Sequence, residues 1–160
     1  MLSSLFFIYL QYQIDNLINI LRMRLIIKKD CEQLAEWAAE YVIKKINDFK
    51  PTLQKKFVLG LPTGSSPVIM YKKLIEAYNQ KRVSFKNVVT FNMDEYVGLP
   101  VDHPESYHSF MYNNLFKHID CPDENIHILN GNASDLEAEC ANYEMMIQEA
   151  GGIDLFIGGV

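Results

Sequence analysis

Two rhythms of apolar residues alternate along this chain: compact runs, and longer stretches in which apolar positions return at helical spacing. Residues 24–28 form a short β-branched run that reads as a strand. Asp30 follows as an N-cap, with Gln33 at capping-box spacing. Leu34, Trp37, Ala38, Tyr41, Val42 and Ile46 then share one helical face that ends near Phe49, where Lys50-Pro51 breaks the helix. The single tryptophan, Trp37, reads as core.

Phe57–Leu61 (FVLGL) is the kind of run buried on both faces of a parallel sheet. Ser66 is placed to cap the next helix and Pro67 to open it, because proline's missing N–H is no loss there. Val68, Tyr71, Ile75 and Tyr78 line one face of that helix. Val88–Asn92 (VVTFN) is the next strand, and a Gly-, Pro- and Asp-containing loop runs on to His103-Pro104. A helix is predicted over residues 106–118, a short strand over 126–129, and a helix over 134–150 with Ser134 and Glu137 at capping-box spacing and Gly151 as its stop. Residues 154–157 (DLFI) make a further buried-type strand. Strands alternating with amphipathic helices predict an α/β fold: a doubly wound, mostly parallel, Rossmann-like sheet. No repeat, low-complexity tract or linker interrupts residues 23–160, which read as part of a single domain.

Residues 1–22 stand apart. The apolar run 5–10 is too short to span a bilayer, and the segment has neither a basic n-region nor a small-residue cleavage site. It reads as a non-native or dispensable extension, since Met23 serves equally well as a start. Leu10, Ile14, Leu17, Ile18 and Leu21 recur at helical spacing, which leaves a docking helix as the alternative and a membrane contact as the less favoured one.

Composition narrows the function classes. The 160 residues are 49% hydrophobic and 22% charged, ordinary for a globular domain, and the net charge of −5 offers no basic face to a nucleic acid. Cys31, Cys121 and Cys140 are widely spaced and form no Cys-x-x-Cys pair, so free thiols in a reducing cytoplasm are expected, with no metal site.

Ligands of open parallel sheets bind outside the carboxyl ends of the strands. Three segments fall there: residues 62–66, residues 92–96, and Gly158 onward. In the first, Gly64 permits close backbone approach, while Thr63, Ser65 and Ser66 set hydroxyls beside helix-end amides. That is a phosphate cradle on physical grounds, although an ordinary strand–helix turn with a serine cap has the same residues. It carries neither a Walker A nor a dinucleotide pattern, which argues against ATP and NAD. In the second, Asp94 and Glu95 are adjacent just past a strand, so one of them is expected to face the cleft as a general base. A solvated loop acid or a helix cap is the plainer alternative. His103, His108, His118 and His127 carry no pattern that singles any of them out, and Ser106 lies outside a Gly-x-Ser-x-Gly elbow.

Residues 59–67 (LGLPTGSSP) resemble the phosphate loop of glucosamine-6-phosphate deaminases. Residues 89–100 (VTFNMDEYVGLP) and 103–111 (HPESYHSFM) are similar to that family's most characteristic block. Residues 23–26, 130–133 (NGNA) and 156–159 (FIGG) fit as well. The resemblance implies conversion of glucosamine 6-phosphate and water to fructose 6-phosphate and ammonium, without metal or other cofactor, by a cytoplasmic protein that is a homo-oligomer at full length. It also implies that Asp94 moves the proton between C2 and C1, that Thr63, Gly64, Ser65 and Ser66 hold the phosphate, and that Glu95 belongs to the substrate site. After the Gly-Gly the family continues with a Gly-x-Asp-Gly-His-Ile-Ala-Phe-Asn-Glu-Pro stretch that opens the sugar ring, and then with basic residues. The chain as given ends at Val160, so the expectation is an N-terminal portion that is inactive alone and exposes apolar surface at the strand over 154–157. A related sugar-phosphate enzyme, such as a 6-phosphogluconolactonase or a pentose-phosphate isomerase, is the alternative within enzymes. A non-catalytic product that binds sugar phosphate or joins full-length subunits is the alternative outside them.

Overall fold

A computed structural model describes residues 25–158, so the extension expected over 1–22 lies outside the described residues. Residues 25–28 are not a strand, and Leu25 and Ile27 are 76% and 83% exposed. A β-branched run becomes a strand only where a neighbour satisfies its N–H and C=O groups, and no described strand lies beside this one.

Helix α1 (Cys31–Phe49) starts where expected: Asp30 is extended and its carboxylate accepts from the Gln33 N–H at 2.8 Å. It ends at Lys50, whose left-handed backbone lets its N–H reach the Ile46 carbonyl at 3.1 Å. The buried face is rotated from the predicted one and consists of Ala35, Ala39, Val42, Ile43 and Ile46. The two alanines leave room for helix α2 (Val68–Asn79), which packs against α1. Leu34 is therefore exposed. Trp37 is half-buried rather than core and stacks on Tyr41, with ring centroids 5.3 Å apart.

Strands β1 (Phe57–Leu61), β2 (Val88–Asn92), β3 (Ile126–His127) and β4 (Leu155–Phe156) form one parallel sheet in the order β3-β2-β1-β4. Every residue of β1 and β2 is buried, because helices cover both faces. Phe57, Leu59, Leu61 and Val88 turn toward α1, α2 and helix α3 (Tyr107–Asn114), whose Met111 joins the same core. Val58, Val89 and Phe91 turn the other way, toward Tyr143 of helix α4 (Leu136–Glu149). The sheet is thus doubly wound, and the chain reverses its direction of travel across the sheet between β1 and β4.

Several boundaries differ from the sequence reading. Helix α2 opens at Val68, with Pro67 in the cap position and no side-chain cap, so Ser66 does not cap it. Its buried face is Met70, Tyr71, Leu74 and Ala77, with Ile75 and Tyr78 packing at the flank. Asp135, not Ser134, caps α4: its carboxylate accepts from Ala138 N–H at 2.9 Å, and a carboxylate is the stronger partner at a helix N-terminus. Gly151 does end α4, with φ +94°. Residues 116–118 tighten into a 3-10 turn instead of continuing α3. Strand β4 is an edge rather than a buried strand, and Phe156 is 46% exposed. All three cysteines are free, and burial pushes the Cys121 thiol up to about 12. No helix among the described residues is long and apolar enough to cross a membrane.

Candidate active site

Two loops leave the carboxyl ends of β1 and β2 side by side, next to the point where strand order reverses. The first, residues 62–67, is held from two directions. Tyr71, fully buried in the first turn of α2, donates its hydroxyl hydrogen to the Pro62 carbonyl. Asn92, at the end of β2, donates from Nδ2 to the Leu61 carbonyl at 3.1 Å. Gly64 has φ +92°, in the left-handed region that favours glycine, and a Cβ there meets nothing within 4 Å. Backbone twist, not lack of space, is what calls for glycine. Thr63 is half-buried, and Gly64, Ser65 and Ser66 are exposed beside the first amides of α2. No group in this loop brings a negative charge, so the loop presents an anion with hydroxyls and helix-end N–H groups.

The second loop begins at Met93 and carries Asp94 and Glu95, which part company at once. The Glu95 carboxylate turns to the N-terminus of α3 and accepts from the N–H groups of Tyr107 and His108, both at 2.9 Å. Among the described residues Asp94 has no such partner. Partial burial, followed by the Glu95 charge next to it, pushes its carboxyl above the usual carboxylate range. A carboxylate of raised proton affinity is the stronger base once it is deprotonated.

Tyr107 packs against the second loop. Its ring lies 4.6 Å from that of Tyr96, centroid to centroid, and its hydroxyl donates to the Tyr96 hydroxyl at 3.3 Å. The Tyr107 phenol is held above its ordinary pKa, first by that hydrogen bond, then by desolvation and by the Asp94 charge, against an opposing pull from the Thr63 hydroxyl.

The far side of the second loop is latched to residues 130–133. A Cβ on Gly131 would stand 1.9 Å from the Tyr96 carbonyl oxygen, so only glycine permits this approach. The Gly98 N–H donates to the Gly131 carbonyl at 2.9 Å, and Asn132 Nδ2 donates to the Leu99 carbonyl at 2.7 Å. Ser106, fully buried, caps α3 by accepting from Ser109 N–H at 3.0 Å and donates to the Val101 carbonyl at 2.6 Å. A cavity of about 330 Å³ lined by Tyr96, Val97, Gly98, Leu99 and Glu105 adjoins this loop but includes neither Thr63 nor Asp94.

Of the residues singled out in the sequence, the structure sets Thr63 and Asp94 on loops that leave paired strands, keeps Gly64, Ser65 and Ser66 on the same rim as Thr63, and turns the Glu95 carboxylate into α3. Tyr71, Asn92, Tyr96 and Tyr107 were not singled out. Each acts through a partner distant in sequence, and the aromatic neighbour of the capping Ser106 is the one local hint. Among the described residues no group of three or more His, Cys, Asp or Glu side chains is placed to hold a metal ion.

A family model described as glucosamine-6-phosphate isomerases/6-phosphogluconolactonase matches residues 29–160. The chain belongs to that family. A glucosamine-6-phosphate deaminase of Phocaeicola vulgatus is 68% identical over 138 residues, which is 86% of this chain and 52% of that protein. One of Drosophila melanogaster is 61% identical, over 86% of this chain and 50% of its own length. Among solved structures, a monomeric glucosamine-6-phosphate deaminase superposes with a TM-score of 0.76 at 39% identity, covering 82% of this chain and 53% of that one. A 6-phosphogluconolactonase from Thermotoga maritima gives 0.62 at 22% identity, covering 76% of this chain and 53% of that one, which shows a shared fold. The chain spans about half the length of the curated relatives it matches.

Proposed function

We propose that the protein to which this chain belongs is a glucosamine-6-phosphate deaminase. The observation that carries the reading is the register of β1 and β2, which pairs Leu61 with Asn92 and so sets the Thr63 loop and the Asp94 loop side by side at the carboxyl edge of the sheet. In this reading Thr63, Gly64, Ser65 and Ser66 cradle the 6-phosphate with hydroxyls and helix-end amides. The bound phosphate sets C1 and C2 of the sugar over the Asp94 carboxylate, turning proton abstraction into a step between groups already in place. Asp94 takes the C2 proton to give an enolamine and returns it to C1. Water then displaces the nitrogen from C2, leaving fructose 6-phosphate and ammonium.

The relatives named as deaminases support this reading over a lactonase, since their identities exceed 60% while the lactonase structure stands at 22%. A cytoplasmic, hydrolytic, homo-oligomeric enzyme belongs to the same reading, although one solved relative is monomeric. The deciding experiment supplies glucosamine 6-phosphate to the intact protein and measures ammonium and fructose 6-phosphate together. Equal amounts of both are expected. Hydrolysis of 6-phosphogluconolactone with no ammonium release would replace this reading with the lactonase one. Light scattering on the same sample settles the assembly.

A further inference from the structure

Glu95 is surrounded by main-chain donors. Its Oε1 accepts from Tyr96 N–H at 2.8 Å and from Tyr107 N–H at 2.9 Å, and its Oε2 accepts from His108 N–H at 2.9 Å. Tyr107 and His108 open α3, where amide hydrogens lack helical acceptors and the helix end attracts negative charge. An ionised carboxylate offers about four lone-pair positions, so three such bonds leave little for a sugar hydroxyl.

From this geometry we infer that Glu95 is a positioning residue: its carboxylate clamps the Asp94 loop to the N-terminus of α3 and so fixes where the Asp94 carboxylate points. The inference rests on the role proposed for Asp94 above. Glu95 directly follows Asp94, so anchoring its carboxylate into α3 restrains the backbone that carries Asp94. The same clamp sets the position of the Tyr107 ring, because the bonded amide is that of Tyr107 itself. The clamp is backed from the other side by Gly131, which meets the Tyr96 carbonyl too closely to admit any side chain. The charge has an effect of its own, because the anionic Glu95 raises the proton affinity of Asp94. The charged and titratable groups that act on Asp94 are Glu95 of its own loop and, from α3, Tyr107.

Two variants of the intact protein test this. Glu95→Gln removes the charge and turns an amide donor toward backbone donors. Its kcat for glucosamine 6-phosphate is expected to fall roughly 10- to 100-fold with KM little changed, the cost of a misdirected base. The acidic limb of its kcat profile should move to lower pH, because Asp94 no longer has an anion beside it. Glu95→Asp keeps the charge on a shorter arm, so it should retain the acidic limb but not the full kcat. Hydrogen exchange at the Tyr107 and His108 amides should quicken in Glu95→Gln, and the Asp94 carboxyl, followed by NMR, should titrate lower. A rise in KM with kcat intact would mean that Glu95 touches the substrate, overturning the inference. Unaltered amide exchange or an unmoved Asp94 titration would overturn it as well. These last two measurements need no turnover, so they decide the clamp even if glucosamine 6-phosphate proves not to be the substrate.

Discussion

The side-chain amide of Asn92 donates to the main-chain carbonyl of Leu61 across 3.1 Å, joining the last residue of β2 to the last residue of β1. Each strand leads directly into one of the two candidate-site loops, so this bond reinforces the ladder at the point where the loops diverge. Asn92 is buried, and its backbone carbonyl lies 2.9 Å from the Tyr143 hydroxyl of α4. Replacing Asn92 with Asp keeps the shape but sets a carboxylate against a carbonyl oxygen. The variant should lose about 1–3 kcal/mol of stability or more, read from urea denaturation midpoints. An unchanged midpoint would show that the bond is dispensable.

Asp94→Asn removes the proposed base with little change in volume. In the intact protein kcat should fall by about 100-fold or more, the usual contribution of a positioned general base, while KM stays near the parent value. A comparable kcat would assign the proton transfer to another group.

The raised proton affinity of Asp94 fixes a direction in pH. A base works when deprotonated, so activity should be present at neutral pH and disappear as the pH falls through a midpoint above the usual carboxylate range. A pH–rate profile whose acidic limb lies at or below that range would contradict the desolvated placement of Asp94.

Gly131→Ala tests the latch behind the loop. The new methyl would collide with the Tyr96 carbonyl oxygen, a backbone atom that cannot swing aside as a flexible side chain does. A cost of about 1–3 kcal/mol is expected, with faster exchange at the Gly98 amide that bonds Gly131. Thermal unfolding and hydrogen exchange together measure it, and neutral behaviour in both would refute the latch.

Tyr71→Phe deletes the hydroxyl that holds Pro62 and leaves the ring in the core. The loss should be about 1 kcal/mol in stability, with weaker binding of the phosphorylated substrate as the loop loosens. Isothermal titration of the intact protein with glucosamine 6-phosphate reads the second effect.

Strands β1 and β2 were legible in one dimension because burial on both faces leaves an uninterrupted apolar run. Asp30, as the cap of α1, was legible because its partner Gln33 lies within the same turn. Local pattern failed where the deciding partner is remote. Residues 25–28 look like strand-forming sequence, yet strand formation depends on a neighbour that residue type does not reveal. At the start of α4 two good caps, Ser134 and Asp135, stand next to each other, and the choice depends on where the chain arrives from the Gly131 turn. In the candidate site, strand-end placement and the resemblance pointed to Thr63 and Asp94. The engagement of Glu95 became visible only once α3 was seen to begin against it. Tyr107 likewise gained meaning from Tyr96, which sits on another element.

Gly60 lies under the ring of Phe156, whose nearest carbon would be 2.1 Å from any Cβ added at position 60. The two positions are far apart in the chain but pair in adjacent strands, and they share one volume. As the sequence drifts, position 60 is not free to vary alone: a side chain there becomes admissible only after the ring at 156 has shrunk or moved. Substitutions here must therefore arrive in order, first at the edge strand and then at its neighbour.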